Sequence, residues 1–439
     1  MINFLDKIKN LDNNTLEVVK KSSISLVVKT AGICISLLIS ILLGQALGAE
    51  NFGIINLINR ISIILITFSL LGFYQLNVKE IAIAHQNKDW AHIGSCIRSS
   101  YLLNGLLSLT VSLVLIYLAP YISKYVFNEP KLTTPLIIGL IAITPQVFSR
   151  IFSSALIGYR KIWQSNLVDE ALGSLILGIL LVIQYYFYDI RLTVNNVALS
   201  YAISRSFVTI CMGYYWNKLY NHRNKTKIII AKLLKQSPSF FLISITGILA
   251  ANIDGILIGW LASTKDVGLY AVGARIALFT SFFLQVTNSA ISPKLASMYS
   301  QGKIKLMNQM VQKITFGLII IGLLFFVTFL VFGKFFLGFW GEEFKEAYTI
   351  LVILSMGQFF NIGTGASGFV LIMCGYENTH AMISTVFVIL NITLSFILIS
   401  FFGVIGAAIA GAITLSLENI TKVIYAKKRT KILTIPYKI

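Results

Sequence analysis

The sequence predicts an all-α integral membrane protein of twelve transmembrane helices, built as two related six-helix bundles. Three observations carry that reading. Of 439 residues, 56% are hydrophobic and only 12% charged, against roughly a quarter charged in soluble domains. Apolar runs long enough to cross a hydrocarbon core of about 30 Å as helices recur along the chain, whereas alternating strands of about ten residues do not. The chain also repeats itself. A shift of 215 residues lays GQALGAENFGIINLINRI (Gly44 to Ile61) over GWLASTKDVGLYAVGARI (Gly259 to Ile276) without a gap, matching Gly44 with Gly259, Gly53 with Gly268 and Arg60 with Arg275. Further on, Lys79 falls on Lys294, Gln86 on Gln301 and Lys88 on Lys303.

Taken in order, residues 1–21 space Ile2, Leu5, Ile8 and Leu11 by three beside Lys7 and Lys9. That pattern fits a short amphipathic helix on the cytoplasmic face, or a tail that only supplies positive charge. The first bundle, 22–216, holds spans at 22–47, 54–76, 99–119, 133–157, 166–188 and 193–216. Spans 1 and 2 meet in the short external turn GAENFG, and Asn77 to Ser95 forms a charged, helical cytoplasmic connection. Span 4 contains Pro145 and ends in GYRK (Gly158 to Lys161). A basic cytoplasmic linker, 217–237, leads to the second bundle, 238–426, with spans at 238–262, 267–292, 312–333, 347–373, 380–402 and 404–425. Gly363, Gly365 and Gly368 interrupt the tenth span, and 427–439 is a short basic cytoplasmic tail.

The net charge of +19 is a matter of topology. With both termini cytoplasmic, the cytoplasmic segments and the cytoplasmic ends of the spans (Lys313 and Lys422) hold 25 of the 36 Lys and Arg, the external loops hold six, and the remaining five lie within helices. That is the asymmetry the positive-inside rule requires. The external loops also carry seven acids, which leaves them near neutral and makes nucleic-acid binding a poor explanation of the charge. Cys34, Cys96, Cys211 and Cys374 stand singly, with no pair at metal-ligand spacing. His85 and His92, seven apart, lack a third ligand, so no metal site is expected. No cleavable signal precedes the first span, which can serve as the targeting signal itself.

An ionisable group within a membrane helix costs several kcal/mol unless it meets a partner or a wet cavity. Lys29, Arg60, Arg150, Arg205 and Arg275 are the cations so placed, with Asp254 and Glu418 as acids. At about 1.5 Å per residue, Arg60 and Arg275 each lie roughly 10 Å below the matched glycines Gly53 and Gly268, so the two should face each other at equal depth across the axis between the halves. A cationic lumen attracts anions, and guanidinium groups offer paired donors that fit phosphate. Arg60 and Arg275 either bind such a substrate or pair structurally with Asp254, Glu50 or backbone carbonyls. Lys29 and Arg150 either bind the same substrate or, lying near helix ends, snorkel, and Arg205 serves either substrate or structure. Asp254 either neutralises an Arg or carries a coupling proton, and Glu418 either couples or pairs with Lys422 one turn away. An enzyme is the competing class, but the external loops reach only about 15 residues, and no catalytic constellation or phosphate cradle is present.

The helix 1 to 2 turn LLGQALGAENFGIINLI, its echo IDGILIGWLASTKDVGLYAVGARI and LIGYRK after span 4 resemble the polysaccharide transporter branch of the multidrug/oligosaccharidyl-lipid/polysaccharide (MOP) exporter superfamily. The chain is most similar to O-antigen repeat-unit flippases. The resemblance implies a MATE-like, V-shaped transporter of the bacterial inner membrane. Its partners would be membrane lipids, an undecaprenyl-pyrophosphate-linked oligosaccharide and the polymerase and chain-length machinery of the same pathway. It implies no cofactor beyond coupling to H+ or Na+, with Asp254 or Glu418 as candidates. Related lipid II flippases use cavity cations on helices 1, 2 and 8, where Lys29, Arg60 and Arg275 stand here, although Thr30 breaks the Arg-acid pair found at the first of these. The alternatives are a multidrug exporter, or a flippase for another polyprenyl-linked glycan such as capsule or enterobacterial common antigen.

Overall fold

The computed structural model describes residues 13–186, 191–221 and 226–436. Residues 1–12 of the expected amphipathic segment, 222–225 of the linker and the last three of the tail lie outside them. Every regular element among the described residues is helical. We number the principal helices α1 (Asn13–Leu70), α2 (Phe73–Gln86), α3 (Trp90–Tyr121), α4 (Thr133–Ile141), α5 (Ile143–Gly158), α6 (Ile162–Asn166), α7 (Gly173–Tyr186) and α8 (Val194–Leu219). They continue with α9 (Ile230–Leu261), α10 (Thr264–Ser300), α11 (Ile304–Gly338), α12 (Tyr348–Gly363), α13 (Ser367–Met373), α14 (Glu377–Phe402) and α15 (Val404–Thr430).

Eight of the described helices are long and apolar enough to cross a membrane, or nine when α12 and α13, bent by 42°, count as one span. The expected number was twelve, and three stretches account for the difference. Within α1, Gly48 adopts φ 71° and ψ 175°, so one continuous run contains two rods. The apolar helix at Gly173–Tyr185 is short. Finally, α8 carries Asn195, Asn196, Ser200, Ser204 and Arg205 among its apolar residues, which lowers its hydropathy.

Local chemistry sets the ends of these helices. Ser263 caps α10, accepting the Asp266 N–H at 3.1 Å while its hydroxyl donates to the Asp266 carboxylate at 2.6 Å. Asp89 caps α3 through the His92 N–H at 2.9 Å. After the Gly48 break, the Ala49 N–H donates to the Glu343 carboxylate at 3.0 Å, so an acid satisfies one of the orphan donors where the second rod begins. Gly365, at φ 65°, makes the corresponding break between α12 and α13 against Thr315. Large apolar side chains such as Leu106, Ile210 and Phe401 point outward, while Ser99, Ser100, Asn104 and Ser108 line the buried side of α3. This is the inverse of a soluble protein, as expected where lipid is the solvent.

The chain divides into two compact units. One takes the described residues up to Leu43, then Ile61–Tyr125 and Pro130–Ile245; the other takes Gly44–Arg60, Val126–Glu129 and the described residues from Thr246 onward. The repeated segment of the first half therefore packs in the same unit as its own copy, and the reason is visible at the repeated glycines. A Cβ on Gly53 would collide with the Thr264 carbonyl oxygen, and one on Gly268 would collide with the Ala49 carbonyl oxygen. Ala49 and Thr264 are also separated by 215 residues, so the contact is reciprocal, as a two-fold relation demands. Gly53 and Gly268 are the two places where this crossing tolerates no side chain.

Gly53→Ala or Gly268→Ala should therefore lower stability by about 1–3 kcal/mol, the range for overpacking. Gly317→Ala, where a Cβ meets nothing within 4 Å, should have no such effect. The thermal unfolding midpoint of the purified protein in detergent measures the difference.

Candidate functional site

Seven residues below the crossing glycines, Arg60 on α1 and Arg275 on α10 border one cavity of about 410 Å³ in the second unit. The helices α9, α12, α14 and α15 complete its wall with Asp254, Gln358, Asn391 and Glu418. Of the seven charged residues singled out from sequence, this cavity brings together four: Arg60, Arg275, Asp254 and Glu418. The expectation that Arg60 and Arg275 face each other across the axis between the halves takes a different form here, since both belong to the unit that contains the second half.

The four differ in how well they are satisfied. One Arg60 nitrogen, Nη1, donates to the backbone carbonyls of Ala251 and Asn252 at 3.4 and 3.3 Å. Its guanidinium carbon lies 6.0 Å from the Tyr270 ring centroid, within the range of a cation–π contact. Gly255 leaves the space that this side chain fills. Asp254 accepts the Tyr270 hydroxyl at 2.9 Å and the Ser395 hydroxyl at 3.2 Å, one on each carboxylate oxygen. Glu418 takes the Lys422 ammonium at 2.7 Å and the Ser384 hydroxyl at 2.8 Å. Arg275 is different. Its Nη1 is buried and has no hydrogen-bond partner among the described residues. A buried charged donor left unpaired is strongly disfavoured unless a ligand, ion or water completes it.

The other three candidates do not border this cavity and belong to the first unit. Lys29 and Arg150 are exposed, and Arg150 has a partner of its own. Arg205 lies over the Tyr201 ring, 5.1 Å from its centroid, with its guanidinium against Gly173. His85 packs against Tyr159 and Trp90, while His92 bonds Glu80 at 3.0 Å, so the two imidazoles serve separate contacts. Sequence reasoning missed Tyr270, Gln358, Asn391 and Ser395. A tyrosine two residues after the crossing glycine, sixteen residues beyond Asp254 in the next helix, was the available signal for Tyr270.

Compared with known proteins, residues 18–299 match the model of the polysaccharide biosynthesis protein family, and residues 238–397 match that of the MatE family. The capsular polysaccharide biosynthesis protein CapF of Staphylococcus aureus is 27% identical over 313 residues, covering 70% of this chain and 77% of CapF. The probable low-salt glycan biosynthesis flippase Agl15 of Haloferax volcanii is 26% identical over 178 residues, 40% of this chain and 38% of that one. Among solved structures, an inward-facing multidrug resistance MATE family transporter of the MOP superfamily superposes with a TM-score of 0.76 at 14% identity, over 94% of this chain and 98% of that one. The lipid II flippase MurJ in an inward closed conformation gives 0.72 at 13%, over 93% and 87%. With more than half its length matched by one family model and the fold matched along nearly all of it, the chain belongs to the polysaccharide biosynthesis protein family and has a multi-pass membrane architecture of MATE-like fold.

Proposed function

We propose that the protein is a flippase that carries an undecaprenyl-pyrophosphate-linked oligosaccharide from the cytoplasmic to the outer leaflet of the bacterial cytoplasmic membrane by alternating access, both of its termini being cytoplasmic. The observation that carries this reading is the unpartnered Arg275 Nη1 in the wall of a membrane cavity. A phosphate oxygen is the acceptor that such a donor lacks, and a charge-assisted pair is shorter and stronger than a neutral one. Arg60 is held by two carbonyls and a tyrosine ring, so it contributes field and shape, whereas Arg275 makes the bond that selects the pyrophosphate. The sugar chain occupies the wet lumen, and the polyprenyl tail stays in lipid.

The glycan is an O-antigen repeat unit in the reading taken from the sequence, and similarity to CapF favours a capsular unit as the second reading. Asp254, bonded by two hydroxyls, is the candidate that exchanges a coupling cation, and Glu418, already paired with Lys422, is the weaker one. The names of Agl15 and MurJ, both flippases, support transport over catalysis.

A host strain lacking the gene and accumulating lipid-linked glycan on the cytoplasmic leaflet tests this. Losing a hydrogen bond to a charged group is worth about 1.5–3 kcal/mol, so Arg275→Ala should cut the rescue rate by roughly ten- to a hundred-fold at unchanged membrane abundance. Arg60→Ala should instead lower abundance and thermal stability, because it leaves Asp254 without its cationic neighbour. Normal glycan traffic in Arg275→Ala cells would sink the headgroup assignment.

Asp254→Asn should leave headgroup binding intact but remove the response of transport to collapsing the proton or sodium gradient. A gradient response equal to that of the wild type would remove Asp254 from coupling.

A further inference from the structure

The connection that follows the sixth helix of the first half is not a loose tether. After α8, the Tyr220 hydroxyl donates to the Trp90 carbonyl at 2.7 Å. Residues 226–229, which are not helical, then run along α3. The Arg98 guanidinium donates to the Thr226 hydroxyl at 3.3 Å, the Lys227 N–H to the Ser95 hydroxyl at 3.0 Å and the Ile229 N–H to the Ser99 hydroxyl at 2.8 Å. Gly94 leaves the room that Tyr220 and Thr226 occupy. The spacings match: two residues of extended chain rise about 6.6 Å and four residues of α-helix about 6 Å. Alternate backbone donors therefore meet serines one helical turn apart.

The second half does the same with different residues. At the end of α15, Lys431 turns left-handed at φ 61°, and the chain folds back. The Leu433 N–H donates to the Asn308 side-chain oxygen at 2.7 Å, and the Gln312 amide donates to the Leu433 carbonyl at 3.2 Å. The Thr434 hydroxyl donates at 2.7 Å to the Thr364 carbonyl, one of the orphan acceptors at the α12–α13 break. Ile432 and Thr434 are fully buried, Ile432 in a core with Leu295, Met307 and Val311. Asn308 and Gln312 stand 213 residues after Ser95 and Ser99, within two of the offset that relates the halves. The acting side chains differ in type, so identity between the halves does not reveal them.

We propose that the segment after the sixth helix of each half is a strap that fastens to the third helix of that same half, and that the two straps make each half move as one rigid piece. The first part stands on the hydrogen bonds alone; the second rests on the transport reading above. A strap closes a bundle end with few residues, mainly through backbone groups held by polar side chains of the third helix.

Hydrogen exchange on the full-length protein in lipid nanodiscs tests the straps without any substrate. The amides of Lys227, Ile229 and Leu433 should exchange at least roughly ten-fold more slowly than in unstructured chain. Ser95→Ala/Ser99→Ala should abolish protection at 226–229 only, and Asn308→Ala/Gln312→Ala at 432–434 only. Ser95→Thr/Ser99→Thr keeps the acceptors and should keep protection, which separates a lost bond from misfolding. Unprotected amides in the wild type would overturn the straps. For rigid-body motion, each alanine pair should reduce glycan export several-fold at equal abundance; export at the wild-type rate from both unfastened proteins would overturn that role. Should the protein export no glycan, the exchange result still decides the straps.

Discussion

The reciprocal crossing of Gly53 and Gly268 is the constraint on which the rest of the candidate site depends. Two helices brought together in lipid gain little from the hydrophobic effect, so close backbone approach has to supply the packing. Because each glycine faces the carbonyl of the residue four positions before the other, the two helices are held in symmetric register. Seven residues along each helix, about two turns, stand Arg60 and Arg275. Fixing the glycines fixes the depth at which both guanidinium groups enter one cavity.

Within that cavity the membrane imposes a second constraint, because no charge there can rely on bulk water. Three of the four charged residues answer it inside the protein. Carbonyls and a ring hold Arg60, hydroxyls hold Asp254, and Lys422 with Ser384 holds Glu418. Arg275 alone among these four keeps a buried donor without a partner. A satisfied charge stabilises one conformation, while an unsatisfied one is a standing demand for a ligand. The proposed division between scaffold and binding group rests on that difference.

The fold was legible from sequence because lipid makes hydropathy informative and because glycine breaks stand out against apolar helices, as at Gly48 and Gly365. The Arg60–Arg275 match and the Glu418–Lys422 pair were also readable, the first from the repeat and the second from i, i+4 spacing. Tyr270, Gln358 and Ser395 were not, since an uncharged polar residue in a helix carries no mark of which neighbour it will meet. The segments after α8 and α15 looked like basic connections, because their binding lies in backbone groups gripped by serine and amide side chains on distant helices. Nothing in a local pattern records such a contact. The α8 span looked ordinary by eye, yet its asparagines, serines and Arg205 make it too polar to be recognised by hydropathy alone.

The most direct measurement is binding of undecaprenyl pyrophosphate to the purified wild-type protein in nanodiscs, followed by native mass spectrometry beside undecaprenol, the same lipid without the anion. The account predicts a saturable complex with the pyrophosphate lipid that competing inorganic pyrophosphate weakens, and no comparable complex with the alcohol. Equal retention of both lipids would mean that the protein recognises the tail, and the cavity arginine would lose its role as the headgroup anchor.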